Sequence, residues 1–190
     1  MIYRIAAALS FILMIILLGL YIRRYSSGTL SFFQQRQGTV GFMRRLGYFI
    51  LLFSFLIMGI SAITPVILGA DHLSGLMLII HVTLAPVFIG TVAIFLILTA
   101  HHMVFNEQDW ESLRIRQFSK KDIFWQKLIF WFFIITATIS AGSIILMLFP
   151  LFGSDGQEVL LDIHRSASVV LVLIAAGHFW TFRPFNGYTA

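Results

Sequence analysis

The chain has 190 residues, of which 59% are hydrophobic and 11% charged, with 20 Phe, no Cys and a formal net charge of +5. Its mean hydropathy is +0.93, a balance that excludes a soluble globular domain. The absence of cysteine excludes disulfides, thiolate-ligated iron–sulfur clusters and thioether-attached haem, so any redox metal here has to be held by histidine.

Five apolar runs reach the roughly 20 residues that cross about 30 Å of hydrocarbon. They fall at 3–22, 46–68, 73–103, 127–150 and 158–181. The first, in MIYRIAAALSFILMIILLGLYIRRYSS, has the outline of a signal peptide. Its apolar core is long, however, no small-residue cleavage site follows, and Arg23 and Arg24 close it, so it reads as a retained span. A polar stretch, SSGTLSFFQQRQGTVG, separates it from the rest. The expected division is an accessory N-terminal transmembrane helix over 1–25, a cytoplasmic linker over 26–45, and a four-helix membrane domain over 46–190. The fold class expected is all-α, with the last four spans running up and down as a bundle.

Basic residues decide the orientation. Arg23, Arg24, Arg36, Arg44 and Arg45 follow the first span, Arg114, Arg116, Lys120, Lys121 and Lys127 follow the third, and Arg183 follows the fifth. These are eleven of the 13 Lys and Arg. The connections GADHLSG and FGSDGQE carry Asp71, Asp155 and Glu158 but no Lys or Arg. The positive-inside rule therefore places the N-terminus outside and the C-terminus in the cytoplasm. Topology accounts for the net charge, and nothing in it calls for nucleic acid as a partner; the surroundings are membrane lipid.

Six histidines are present. His72 lies in a connection and reads as a surface residue. His81, His101 and His102 belong to the third span, His164 and His178 to the fifth, and these two spans run in the same direction. The 14 residues between His164 and His178 advance a helix by about 21 Å and rotate it to within about 40° of the starting face. His81 sits about eight residues into its span and His164 about six, so the two are expected at one depth on neighbouring helices. One imidazole from each side is what bis-histidine haem b requires, and facing helices of a bundle supply such pairs. A lone intramembrane histidine is often a structural hydrogen-bonding group, but ionisable groups at this depth are functional candidates by default. Arg165 is placed to meet haem propionates or, more plainly, to pair with Asp162. Gly90, Ala167, Ala175, Ala176 and Gly177 offer either room for a flat macrocycle or close helix packing.

From Ile79 onward the chain resembles the membrane cytochrome b family typified by the gamma subunit of respiratory formate dehydrogenase. Three segments carry the likeness: IIHVTLAPVFIGTVAIFLILTAHHMVFNEQDWESL, WQKLIFWFFIITATISAGSIILMLFP and LLDIHRSASVVLVLIAAGHFW. The resemblance implies a haem b near the outer face held by His81 and His164. It also implies a second haem, nearer the inside, on His178 with a partner from the inner end of the first core helix. That partner is missing, because the corresponding stretch GFMRRLGYFILLF holds Tyr48 but no histidine. Of the two substitutes, His102 lies about 60° from the His81 face and His101 nearly opposite, yet His102 is about 31 Å below His81, whereas His178 is only about 21 Å below His164. One haem or two therefore both stand at this point.

The resemblance further implies a membrane subunit of a respiratory complex in a bacterial or archaeal cytoplasmic membrane. Such a subunit carries electrons between iron–sulfur or multihaem cytochrome subunits, docked near GADHLSG and FGSDGQE, and the quinone pool. Quinone is expected at the inner ends of the third and fifth spans, around His101, His102, His178 and Asn186. No complete catalytic reaction is expected of this chain alone. Two alternatives are a ferric-reductase-like haem protein, which calls for a histidine where Phe95 stands, and a haem-free anchor subunit.

Overall fold

The computed structural model describes residues 2–25, 39–69, 73–114, 123–149 and 151–181. Among the described residues six α-helices follow one another: α1 (Ile2–Tyr25), α2 (Thr39–Ile67), α3 (Gly75–Thr99), α4 (Glu107–Arg114), α5 (Ile123–Met147) and α6 (Gly153–Thr181), with a 3₁₀ turn over Ala100–His102 closing α3. All but α4 are long and apolar enough to cross a membrane, over Ile5–Arg23, Arg45–Ile67, Gly75–His102, Phe124–Met147 and Gly153–Phe179. The five expected spans are thus present, and the chain is an all-α multi-pass membrane protein.

Two boundaries differ from expectation for physical reasons. The polar GSDGQE segment belongs to α6 rather than to a connection: the helix starts at Gly153, and Asp155 lies in its first turn, where a carboxylate faces the positive end of the helix dipole. Gly153 adopts φ +63°, a left-handed conformation open to glycine at little cost, and so turns the chain from the end of α5 into α6. The second span likewise extends back to Thr39, so Arg45 stands on α2 itself.

Close packing joins α5 to α6 and α2 to α3, two antiparallel hairpins. Between the hairpins α3 and α5 touch only lightly, and α3 and α6 are not a closely packed pair. α1 lies along α6 and, to a lesser extent, α2. It is well seated there: Met14 is fully buried, Phe11 and Leu18 are nearly so, and a Cβ at Gly59 would run into the Phe11 ring. Side chains facing outward are large and apolar, such as Ile5, Phe49, Ile97 and Val159, as lipid as solvent demands.

Hydroxyls within the spans are mostly satisfied by their own helix. Ser10, Ser54, Thr64, Thr91, Thr99 and Thr138 each donate to the carbonyl four residues back. At the end of α3 away from the hairpin turns, α4 is held down by a reciprocal cap. The Asn106 amide donates to Asp109 Oδ2 at 2.7 Å and the Asp109 amide to Asn106 Oδ1 at 2.9 Å. Asp109 also takes a 2.5 Å ion pair from Lys127 of α5, both side chains being buried. Trp131 Nε1 donates to the Met103 carbonyl at 2.9 Å, fixing the same corner.

Candidate functional site

His81 of α3 and His164 of α6 meet between the two hairpins, their ring centroids 6.4 Å apart and their planes nearly perpendicular at 86°. The expected match in depth is realised. Two imidazoles binding one metal through Nε2 from opposite sides, with bonds of about 2.0 Å and about 1.1 Å from ring nitrogen to ring centre, have centroids about 6.2 Å apart.

Each ring is anchored through its other nitrogen, in the same way on both sides. His81 Nδ1 lies 3.2 Å from the Met58 carbonyl and 3.1 Å from Ser61 Oγ, both on α2. His164 Nδ1 lies 2.9 Å from the Ser140 carbonyl and 3.1 Å from Ser140 Oγ, both on α5. A carbonyl can only accept, so in each ring Nδ1 carries the proton and Nε2 keeps its lone pair. In each hairpin the first helix supplies a serine and a carbonyl, and the second supplies the histidine. Ser61 also donates to the Met58 carbonyl at 2.8 Å, while Ser140 is within 3.1 Å of Ser168 and its carbonyl accepts from Ser143 at 2.8 Å.

One layer deeper, three rings from three helices close the space beneath the pair. Phe55 of α2 stacks on Phe88 of α3 with centroids 5.8 Å apart and planes at 27°, and Phe133 of α5 lies edge-on to both, at 6.3 and 6.4 Å. Phe88 is seven residues beyond His81, two turns down the same face.

His178 sits elsewhere, toward the α4 end. Its ring packs against Tyr48 of α2 at 6.3 Å and Phe179 at 5.8 Å, and its Nε2 is buried. Tyr48 also meets Phe95 at 6.5 Å, and Tyr21 of α1 meets Phe179 at 5.9 Å. Tyr48 is thus the α2 ring that packs on His178, and that aromatic group is completed by Tyr21 of α1.

His101 and His102 lie in the 3₁₀ turn, exposed, with ring centroids 3.5 Å apart. Among the described residues the structure does not bring His102 to the His178 ring. Arg165 bonds Asp162 at 3.1 Å on the exposed face of α6, the plainer of its two expected roles. Gly90 is exposed and half a turn round from His81, so its missing side chain leaves room away from the histidines. Ala167, Ala175 and Ala176 are buried in helix packing. Asn186 and His72 lie outside the described residues, and among the described residues no group of three or more His, Asp or Glu gathers as a metal site. Among the described residues, His81 and His164 are the pair of adjacent imidazoles contributed by two different helices.

Ser61, Ser140 and Tyr48 were not singled out by sequence reasoning as site residues. Serine is common in transmembrane helices, and only its cross-helix partner distinguishes Ser61 and Ser140 from Ser54. Comparison of the chain with family models, with curated proteins and with solved structures returns no match.

Proposed function

We propose that the chain is a haem b membrane subunit that passes electrons between a redox partner and the membrane quinone pool. The observation that carries the reading is the His81–His164 pair: level, 6.4 Å apart, each ring fixed by a carbonyl so that Nε2 presents its lone pair. Two imidazoles at one depth within apolar spans, each held through Nδ1, are costly to bury for packing alone and are functional candidates by default. His81 and His164 would hold the iron, and bound haem b supplies a one-electron Fe(III)/Fe(II) couple. The phenylalanine layer beneath is apolar, and the carbonyl bonds fix the tautomer and the turn of both imidazoles.

One haem per chain fits better than two, because Tyr48 packs on His178 in place of a second ligand and His102 stands apart. Quinone exchange then belongs at the level of His81 and His164, where the flanking Ile79 and Val82 open to lipid. The α4 end is a helix length away. By its likeness to the cytochrome b family, the donor or acceptor outside the membrane is an iron–sulfur or multihaem cytochrome subunit seated on the α2–α3 and α5–α6 turns. The membrane is a bacterial or archaeal cytoplasmic membrane, with those turns outside.

The test is optical. Purified full-length protein is expected to show Soret and alpha bands that sharpen on reduction, with a haem-to-polypeptide ratio near one. A colourless protein favours the haem-free anchor and ends this reading; a ratio near two reinstates a ligand opposite His178.

A further inference from the structure

Ser61 and Ser140 stand apart from the other hydroxyl residues of the spans, because each reaches a histidine on the adjoining helix. We propose that these two serines are positioning residues that set the electron affinity of the metal held by His81 and His164; the proposal rests on the haem reading above. Ser61 spends its own proton on the Met58 carbonyl at 2.8 Å, so toward His81 Nδ1, 3.1 Å away, its oxygen can act only as an acceptor. The Nδ1 proton is thus shared between two oxygens, the serine hydroxyl and the Met58 carbonyl.

The α5–α6 hairpin repeats the device with different wiring. His164 Nδ1 faces both the hydroxyl and the carbonyl of Ser140, the hydroxyl is within 3.1 Å of Ser168, and the carbonyl also accepts from Ser143. Two unrelated stretches of sequence have converged on a serine oxygen and a carbonyl at the back of each imidazole. An acceptor behind Nδ1 draws the proton away from the ring and makes Nε2 a stronger donor, which favours the oxidised metal. Removing the acceptor weakens that donation and lowers the polarity next to the ligand, and both changes favour the reduced metal.

Spectroelectrochemical titration of full-length Ser61→Ala and Ser140→Ala, with electron paramagnetic resonance of the oxidised state, tests this. Each variant is expected to have a higher midpoint potential than the parent and shifted low-spin g-values. Ser54→Ala, at a buried serine bonded only to its own helix, is expected to match the parent, and Ser61→Thr, which retains the hydroxyl, to stay close to it. Parent potentials and g-values in both alanine variants would overturn the proposal, as would an equal shift in Ser54→Ala. Should an alanine variant not take up haem, Ser61→Cys and Ser140→Cys place a poor acceptor of similar size there: a raised potential supports the role and an unchanged one defeats it. A parent protein without haem bands strikes at the haem reading and not at the serines.

Discussion

Two backbone carbonyls, of Met58 and Ser140, decide what His81 and His164 can do. A histidine inside an apolar span is conspicuous in the sequence, and counting residues from each span's start placed these two at one depth. Which nitrogen would be free was not legible, because the tautomer depends on carbonyl oxygens 23 and 24 positions away in the chain. Tyr48 shows the converse: nothing in the sequence marked its phenol as the ring that packs against His178. At this scale the expected outcome is direct. His81→Ala and His164→Ala each remove one of the two imidazoles proposed to hold the iron, and each is expected to abolish the redox-active absorbance of the parent. His102→Ala, at an exposed turn, is expected to leave it intact. Spectra of the three purified variants check this, and retention of the bands in both His81→Ala and His164→Ala would show the pairing to be wrong.

Among the elements, the five spans were legible because length and hydropathy alone specify a membrane helix. Their ends were less so. GSDGQE reads as a connection because it is polar, whereas a helix N-terminus welcomes the same residues. Lys127 reads as one of the basic residues of a connection, although its side chain is buried on α5 against Asp109. That ion pair ties α4 to α5. Its consequence follows from the cost of a lone buried charge: Asp109→Ala strands the Lys127 ammonium and removes half of the Asn106–Asp109 cap, destabilising the protein by about 3 kcal/mol. Adding Lys127→Met relieves the stranded charge and is expected to recover most of the loss, since hydrophobic replacement of a buried pair is often neutral. Thermal unfolding of both variants in detergent, followed by circular dichroism, measures the difference. An Asp109→Ala protein as stable as the parent would mean that the pair is solvated in the membrane interface.

For the whole molecule, two hairpins lean together so that the histidine-bearing helices α3 and α6 face each other without packing tightly, while α1 covers the far side of α6. That arrangement follows from topology. α3 and α6 are each the second helix of a hairpin, so they run the same way and bring residues at equal depth together. Nothing in the coordinates depends on which end faces the cytoplasm; the distribution of charge does. Keeping the stretch from Arg23 to Arg45, the stretch from Arg114 to Lys127 and Arg183 on the cytoplasmic side satisfies the positive-inside rule for eleven of the 13 basic residues at once, and the reverse orientation would translocate them. The chain has no cysteine, so single reporters read without background. Ser154→Cys, on the exposed first turn of α6, is expected to react with a membrane-impermeant maleimide on intact cells. Ser27→Cys, in the linker after α1, is expected to react only once the membrane is opened. The opposite pattern would invert the molecule, bringing the His81–His164 level to the cytoplasmic face and with it the proposed docking side of a redox partner.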